Sequence, residues 1–230
     1  CIDNSDNYQK LFSDDKKKIR GEASVSYLFY KDVPRRIHDY NSEAKIIIML
    51  RQPIERAFSH YLMDCRLGFC SEKLEDILVN PKRFPQYFQQ YLELGNYSSQ
   101  LKRYLDTFGK EQVMIIFYED FKADTQKVMT SLFNFLAIDK QQMDLSIQNP
   151  FLATSNSIIS NLYKLNLIRK GIKAVLSPIL LSLVKIKFFS SQNKPKILDL
   201  TEQKLKLFYE KDVLQLEELL NIDLSRWKIR

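Results

Sequence analysis

Arg51 and Ser59 are the residues of this chain whose types and spacing could do chemistry. An apolar run, KIIIML at residues 45–50, stops at Arg51; Pro53 follows, and Ser59 lies eight residues after the arginine within a helical pattern. A strand ending in arginine and leading into a helix puts a guanidinium fork beside free backbone N–H groups and a hydroxyl. That combination suits a phosphate at the carboxyl end of a sheet strand. A guanidinium meets phosphate with two parallel bonds, which a lysine ammonium cannot do. Two plainer readings stand beside this one. Arg51 could pair with Glu55 one turn on, and the Ser59 hydroxyl could bond back to a helix carbonyl.

The elements that must position these residues follow from hydrophobic periodicity. Residues 45–50 and 112–118 read as short, branched, buried strands. Pro53 suits the first turn of a helix, where its missing N–H costs nothing; the pattern carries that helix to about residue 66. Further helices are expected at residues 8–12, 34–40, 74–79, 86–94, 98–108, 156–173 and 201–220, with Thr201 as N-cap of the last and Asp120 or Asp124 capping a helix after the second strand. That last helix would turn Leu205, Phe208, Val213, Leu216 and Leu219 toward a core, with Trp227 as an anchor beyond it. Strands alternating with helices imply a parallel sheet covered on both faces. Glu119 and Asp120 then end the second strand at the same sheet edge as Arg51.

A second segment, IRGEASVSY at residues 19–27, has a strand-like start, a glycine, a glutamate and two serines. Together with the strand–Arg–Pro–helix–Ser unit, Gly95-Asn96-Tyr97, Leu101, Tyr104, QVMIIFYEDFKAD at residues 112–124 and Asp223-Leu224-Ser225-Arg226-Trp227, it resembles the PAPS-dependent sulfotransferases, bacterial and heparan-sulfate types in particular. PAPS is 3′-phosphoadenosine 5′-phosphosulfate. The resemblance implies an α/β fold: three α/β/α layers around a central parallel sheet, related to P-loop kinases, with a helical C-terminal part. It implies PAPS as co-substrate, no metal, and transfer of a sulfuryl group to a hydroxyl or amine of a carbohydrate or other anionic acceptor. By the same resemblance Arg51 and Ser59 bind the 3′-phosphate, Lys194 and Lys196 belong to a basic loop over the nucleotide, and Glu22 is the catalytic candidate. Glu22 could equally organise its loop, since the lysine that some relatives carry after this glutamate is Ala23 here. Ser24 and Tyr27 line the acceptor side or turn the chain. Arg56 reads as a brace, on the loop or on Glu22, and His60 as a packing or surface residue.

The family's Lys–Gly/Ser–Thr–Thr loop, which grips the 5′-phosphosulfate, has no counterpart: residues 1–20 contain neither glycine nor threonine. The 230 residues are therefore read as one N-terminally truncated domain, with a basic helical segment at 145–198 and a closing helix within 199–230.

Composition bounds the alternatives. Forty-five per cent hydrophobic and 27 per cent charged residues, with 5 glycines and 7 prolines, suit one globular domain. Three cysteines and two histidines argue against a disulfide framework or a zinc site. The net charge is +7, and residues 145–198 hold eight cations (Lys164, Arg169, Lys170, Lys173, Lys185, Lys187, Lys194 and Lys196) without one Asp or Glu. Such a stretch is either a solvated helical face or a field for a nucleotide, an acidic glycan or a lipid surface. No nucleic-acid partner is expected. The longest apolar run, residues 174–184, is too short for a bilayer, which needs roughly 20 residues. A bacterial cytoplasmic location is expected, with peripheral membrane contact as the second choice. Two other functions stay open: a nucleotide or small-molecule kinase on the same fold, and a non-catalytic module that binds anionic glycan or membrane.

Overall fold

The computed structural model describes residue 10 and residues 19–140, 152–153, 190–191 and 195–227. The helix expected at 8–12, apart from residue 10, and the helix expected at 156–173 lie outside the described residues, as do Lys194 and every cation of the basic segment except Lys196. After α1 (Val33–Tyr40) comes β1 (Ile46–Leu50), then α2 (Pro53–Leu67), α3 (Leu74–Val79), α4 (Pro85–Tyr91), α5 (Tyr97–Phe108) and β2 (Val113–Phe117). Two short helices follow, α6 (Tyr118–Ala123) and α7 (Thr125–Leu136); then β3 (Leu152–Ala153), β4 (Ser190–Ser191) and the long α8 (Asp199–Leu220).

β1 and β2 pair in parallel, Ile46 opposite Val113 through Leu50 opposite Phe117. The crossover between them is α2 to α5. Parallel strands must bury their faces against helices, and β2 has a helix on each side. α5 packs on the side of Val113, in one core with Leu101, Tyr104 and Phe108, while α7 packs where Ile116 and Phe133 are buried. Along β1, Ile48 and Leu50 enter the main core, whereas Ile47 and Met49 point the other way and keep 43 % and 50 % of their surface. β3 and β4 form a separate antiparallel ladder.

Gly68 ends α2 in a left-handed cap, and the Asp124 carboxylate caps α7 by accepting Lys127 N–H at 2.9 Å. Two expectations change. Residues 19–24 form no strand, and turns follow to residue 29. Ile19 keeps 46 % of its surface and Val25 is fully exposed, so the apolar start is not buried as a strand would be. Thr201 is not the N-cap of α8, which begins two residues earlier after Leu198. The Thr201 hydroxyl goes instead to the Glu75 carboxylate, which docks the first turn of α8 on α3.

α8 buries Leu205, Tyr209, Val213 and Leu216, spaced by about one helical turn. Its docking is polar as well as apolar. Asp212 accepts from Tyr97 N–H at 2.6 Å and from Ser98 N–H at 3.1 Å, and it also receives the Ser98 hydroxyl. It thus caps α5, whose own N-cap residue, Asn96, makes no side-chain cap. Burial pushes the Asp212 carboxyl above its ordinary value, opposed by these donors. One turn earlier the Tyr209 hydroxyl donates to Leu92 C=O at 2.9 Å, with its ring over Gly95. A Cβ at Gly95 would stand 2.8 Å from that hydroxyl oxygen, so only glycine admits α8 at this distance.

Gly95→Ala is therefore expected to lower unfolding stability by about 1–3 kcal/mol, the range for overpacking a filled site. Gly21→Ala, with nothing within 4 Å of the added carbon, should show no such loss. Urea unfolding of the two variants checks this, and an equal effect would contradict it.

Candidate functional site

The two strands end side by side, and the residues that follow them form the site. Pro53 takes the first turn of α2, and the Gln52 side chain accepts the Glu55 N–H that the helix would leave unpaired. Arg51 therefore stands at the turn between strand and helix. Its guanidinium lies over the Tyr118 ring, 4.9 Å from the centroid, and one of its nitrogens is 3.1 Å from the Glu55 carboxylate. The Arg51 side chain keeps 29 % of its surface and Glu55 keeps 54 %. The ion pair named as the plain reading of Arg51 is thus present, but it is a solvent-accessible contact of modest strength. A phosphate, with more charge and a matching fork, would compete for the same nitrogens.

Ser59 lies one turn beyond Glu55 on the same helix face, half-buried. Thr107, Thr125, Thr130 and Ser131 each bond back to the carbonyl four residues before them. Ser59 makes no such bond among the described residues, so its hydroxyl is not spent on its own helix. Arg56 is a brace, reaching the carbonyls of Gln90 and Tyr91 at the end of α4 and not Glu22.

The carboxylates at this edge have partners that the sequence could not name. Glu119 accepts Gln52 N–H at 2.9 Å and Trp227 Nε1–H at 3.4 Å. Asp120 forms a two-pronged pair with Arg226, which holds its carboxyl below the ordinary range and lifts the guanidinium. Trp227 is buried, with its ring 5.5 Å from Phe117 and 6.2 Å from Tyr97. The Tyr97 hydroxyl donates to Arg51 C=O at 3.0 Å. Tyr97 was quoted above only as part of a motif, and its tie to Arg51, 46 residues away, has no local signal.

Glu22 is exposed and its carboxylate accepts the Tyr27 hydroxyl, which raises the phenol's pKa. The Tyr27 carbonyl is held by the Tyr104 hydroxyl at 2.8 Å, and Arg103 holds the carbonyls of Leu28 and Phe29 at 3.2 and 2.9 Å. α5 thus carries both segments: its first residue touches Arg51, and its second turn holds the loop of Glu22. Ser24 and Ser26 bond each other in the exposed part of that loop. Lys196 is exposed ahead of α8. Among the described residues no three His, Cys, Asp or Glu side chains stand together as metal ligands, and no helix is long and apolar enough to cross a membrane. Cys65 and Cys70 are free thiols; burial pushes Cys65 up to about 11, so it stays protonated.

Comparison with known proteins decides the family. The sulfotransferase domain model matches residues 10–171, more than half of the chain. The chain belongs to the sulfotransferase family. Mouse carbohydrate sulfotransferase 15 is 26% identical over 136 residues, covering 50% of this chain and 24% of that protein. Mouse heparan sulfate glucosamine 3-O-sulfotransferase 5 is 29% identical over 128 residues, covering 50% of this chain and 37% of its own length. This sulfotransferase-family chain thus spans about a quarter to two fifths of these curated relatives. The crystal structure of a sulfotransferase from Alicyclobacillus acidocaldarius superposes with a TM-score of 0.68 at 28% identity, covering 99% of this chain and 75% of that one. The α/β fold with its parallel sheet and helical C-terminal part is the sulfotransferase fold, and the family uses PAPS as co-substrate.

His60 follows Ser59 but turns inward, its ring edge-on to Tyr91 at 5.3 Å and 3.8 Å from the Asp64 carboxylate. Burial holds its imidazole below the ordinary 6.5, outweighing the upward pull of Asp64. A base depressed in the fold stays neutral there while the unfolded chain takes up a proton. Its contribution is therefore complete above 6.5 and is lost as the pH falls toward the lowered folded value. The urea midpoint of the parent chain should fall more than that of His60→Gln between about pH 7.5 and 5.5. Parallel falls would contradict the assignment of His60 as a neutral packing residue.

Proposed function

We propose that this sulfotransferase-family chain takes part in PAPS-dependent sulfation of a carbohydrate. The observation that carries the reading is the guanidinium of Arg51 at the strand end. Among the described residues it is stacked on Tyr118 and paired with an exposed carboxylate, with the unspent Ser59 hydroxyl one turn past that carboxylate. This arrangement fits the 3′-phosphate of PAPS: a fork for two oxygens and a hydroxyl donor, in the field of the positive end of a 15-residue helix. The donor supplies an activated sulfuryl group. That phosphate makes and breaks no bond in the transfer, so Arg51 and Ser59 act by binding and orientation. Lys194 and Lys196 are further proposed donors to the nucleotide, through charge alone.

Glu22 is proposed on the acceptor side as general base. The acceptor hydroxyl or amine gives up its proton as its bond to sulfur forms and the bond from sulfur to the phosphate oxygen breaks. Adenosine 3′,5′-bisphosphate is left. The relatives named for carbohydrate and heparan sulfate substrates support a glycan acceptor over a small alcohol.

Calorimetric titration with adenosine 3′,5′-bisphosphate tests the nucleotide half. Arg51→Ala should weaken binding by about 2–3 kcal/mol, the order for a charge-assisted bidentate contact, and Ser59→Ala by about 1 kcal/mol. A chain that prefers ATP with magnesium, or whose affinity ignores Arg51, is not using this site for PAPS. Transfer of labelled sulfate from PAPS to heparosan or chondroitin tests the acceptor half, with Glu22→Gln as the control expected to lose turnover.

A further inference from the structure

One peptide unit of the site is gripped at both ends. The carbonyl of Arg51 and the N–H of Gln52 belong to the same plane; the first accepts from the Tyr97 hydroxyl at 3.0 Å and the second donates to Glu119 at 2.9 Å. The two partners come from different elements, the first residue of α5 and the first turn after β2. A peptide plane held at its carbonyl alone can still pivot about that bond, whereas one held at both dipole ends has a single orientation. With Leu50 fixed in the ladder opposite Phe117, the Cα–Cβ direction of Arg51 then follows.

Neither partner is free to swing away. Tyr97 is buried, its backbone N–H rests on Asp212, and its ring lies against Trp227. Burial keeps it a phenol, its pKa pushed up to about 12, and therefore a donor. The second oxygen of Glu119 accepts Trp227 Nε1–H. The guanidinium end of Arg51, by contrast, has among the described residues an exposed carboxylate and an aromatic face, both of which leave it able to turn. The backbone, and not the head group, is where this structure sets the aim of the arginine.

We infer that Tyr97 and Glu119 are positioning residues of the anion site, fixing the Arg51–Gln52 peptide plane so that the guanidinium meets its phosphate without either residue touching the ligand. This rests on the reading of Arg51 as a phosphate ligand. Two cheaper roles are excluded by the geometry: Tyr97 is too buried to meet a ligand, and both oxygens of Glu119 already accept protein donors.

The test uses the full chain with two probes, adenosine 3′,5′-bisphosphate and adenosine 5′-monophosphate, which lacks the 3′-phosphate. Tyr97→Phe, which keeps the ring, should weaken the bisphosphate roughly tenfold, as for one lost buried hydrogen bond acting through a charged contact, and leave the monophosphate unchanged. In the Arg51→Ala background the same substitution should change nothing further, because the residue it aims is gone. Glu119→Gln, which keeps an oxygen for Gln52 N–H, should retain most of the affinity that Glu119→Ala loses. Amide exchange at Gln52 should speed up in Glu119→Ala and not in Glu119→Gln. Equal weakening with and without the Arg51 side chain would overturn the proposal and leave Tyr97 a packing residue. So would an unchanged affinity in Tyr97→Phe while Arg51→Ala weakens binding. If Arg51→Ala itself leaves the bisphosphate unaffected, the phosphate reading fails and the aiming role falls with it, and Gln52 exchange still reports separately whether the peptide is clamped.

Discussion

The carboxylate of Asp212 at the head of α5 is the interaction on which the rest of this structure depends. A helix start leaves N–H groups without partners, and here the missing cap comes from α8, more than a hundred residues later in the chain. Through it α8 is fixed on α5, and α5 in turn holds both functional segments, the Arg51 turn through Tyr97 and the Glu22 loop through Arg103 and Tyr104. Apolar burial supplies most of the adhesion; each buried leucine of α8 is worth about 1.5–3 kcal/mol. Burial alone is indifferent to small slides and rotations. The Asp212 cap, the Tyr209 hydroxyl on Leu92 and the bare Cα of Gly95 set the register of the contact.

An anion site beside two carboxylates is an electrostatic problem, and the strand ends resolve it by engagement. Asp120 is neutralised by Arg226, whose guanidinium also lies 5.2 Å from the centre of the Phe117 ring. Glu119 is turned to two N–H donors, one of them from the peptide next to Arg51. Negative charge that would repel a phosphate is thereby used to brace the turn that presents the arginine. Among the described residues Glu55 is the carboxylate that meets the arginine's head group, and it does so from the exposed side.

The local parts of this arrangement were legible in the sequence. The run ending at Arg51, the proline two residues on and the serine eight on define strand, helix start and one helix face within fifteen residues. The expected strands and helices match the structure to within about two residues at most ends, the usual fray of a boundary. Residues 19–24 misled because an apolar start is a weak strand signal on its own: the segment that follows is exposed and holds its turn through local Glu22 and serine contacts. Thr201 misled because a hydroxyl near a helix start can serve a neighbouring helix as readily as its own. The roles of Tyr97, Glu119 and Asp212 were out of reach for a different reason. Their partners lie 46, 67 and 114 residues away, and no periodicity reports a contact at that distance.

The parallel pairing of β1 with β2 also has a temporal side. Helices α2 and α5 can form from local contacts within microseconds, whereas β1 must wait until some 60 residues of crossover have brought β2 alongside. During that wait the run Ile46–Leu50 is an uncharged, branched segment with both backbone edges open. Another copy's strand can satisfy those edges as well as β2 can, and sooner as the chain becomes more concentrated. The strand that delivers Arg51 to its place is therefore also open to pairing with the wrong chain. Lys45 and Arg51, the charges at its two ends, are what stand against that.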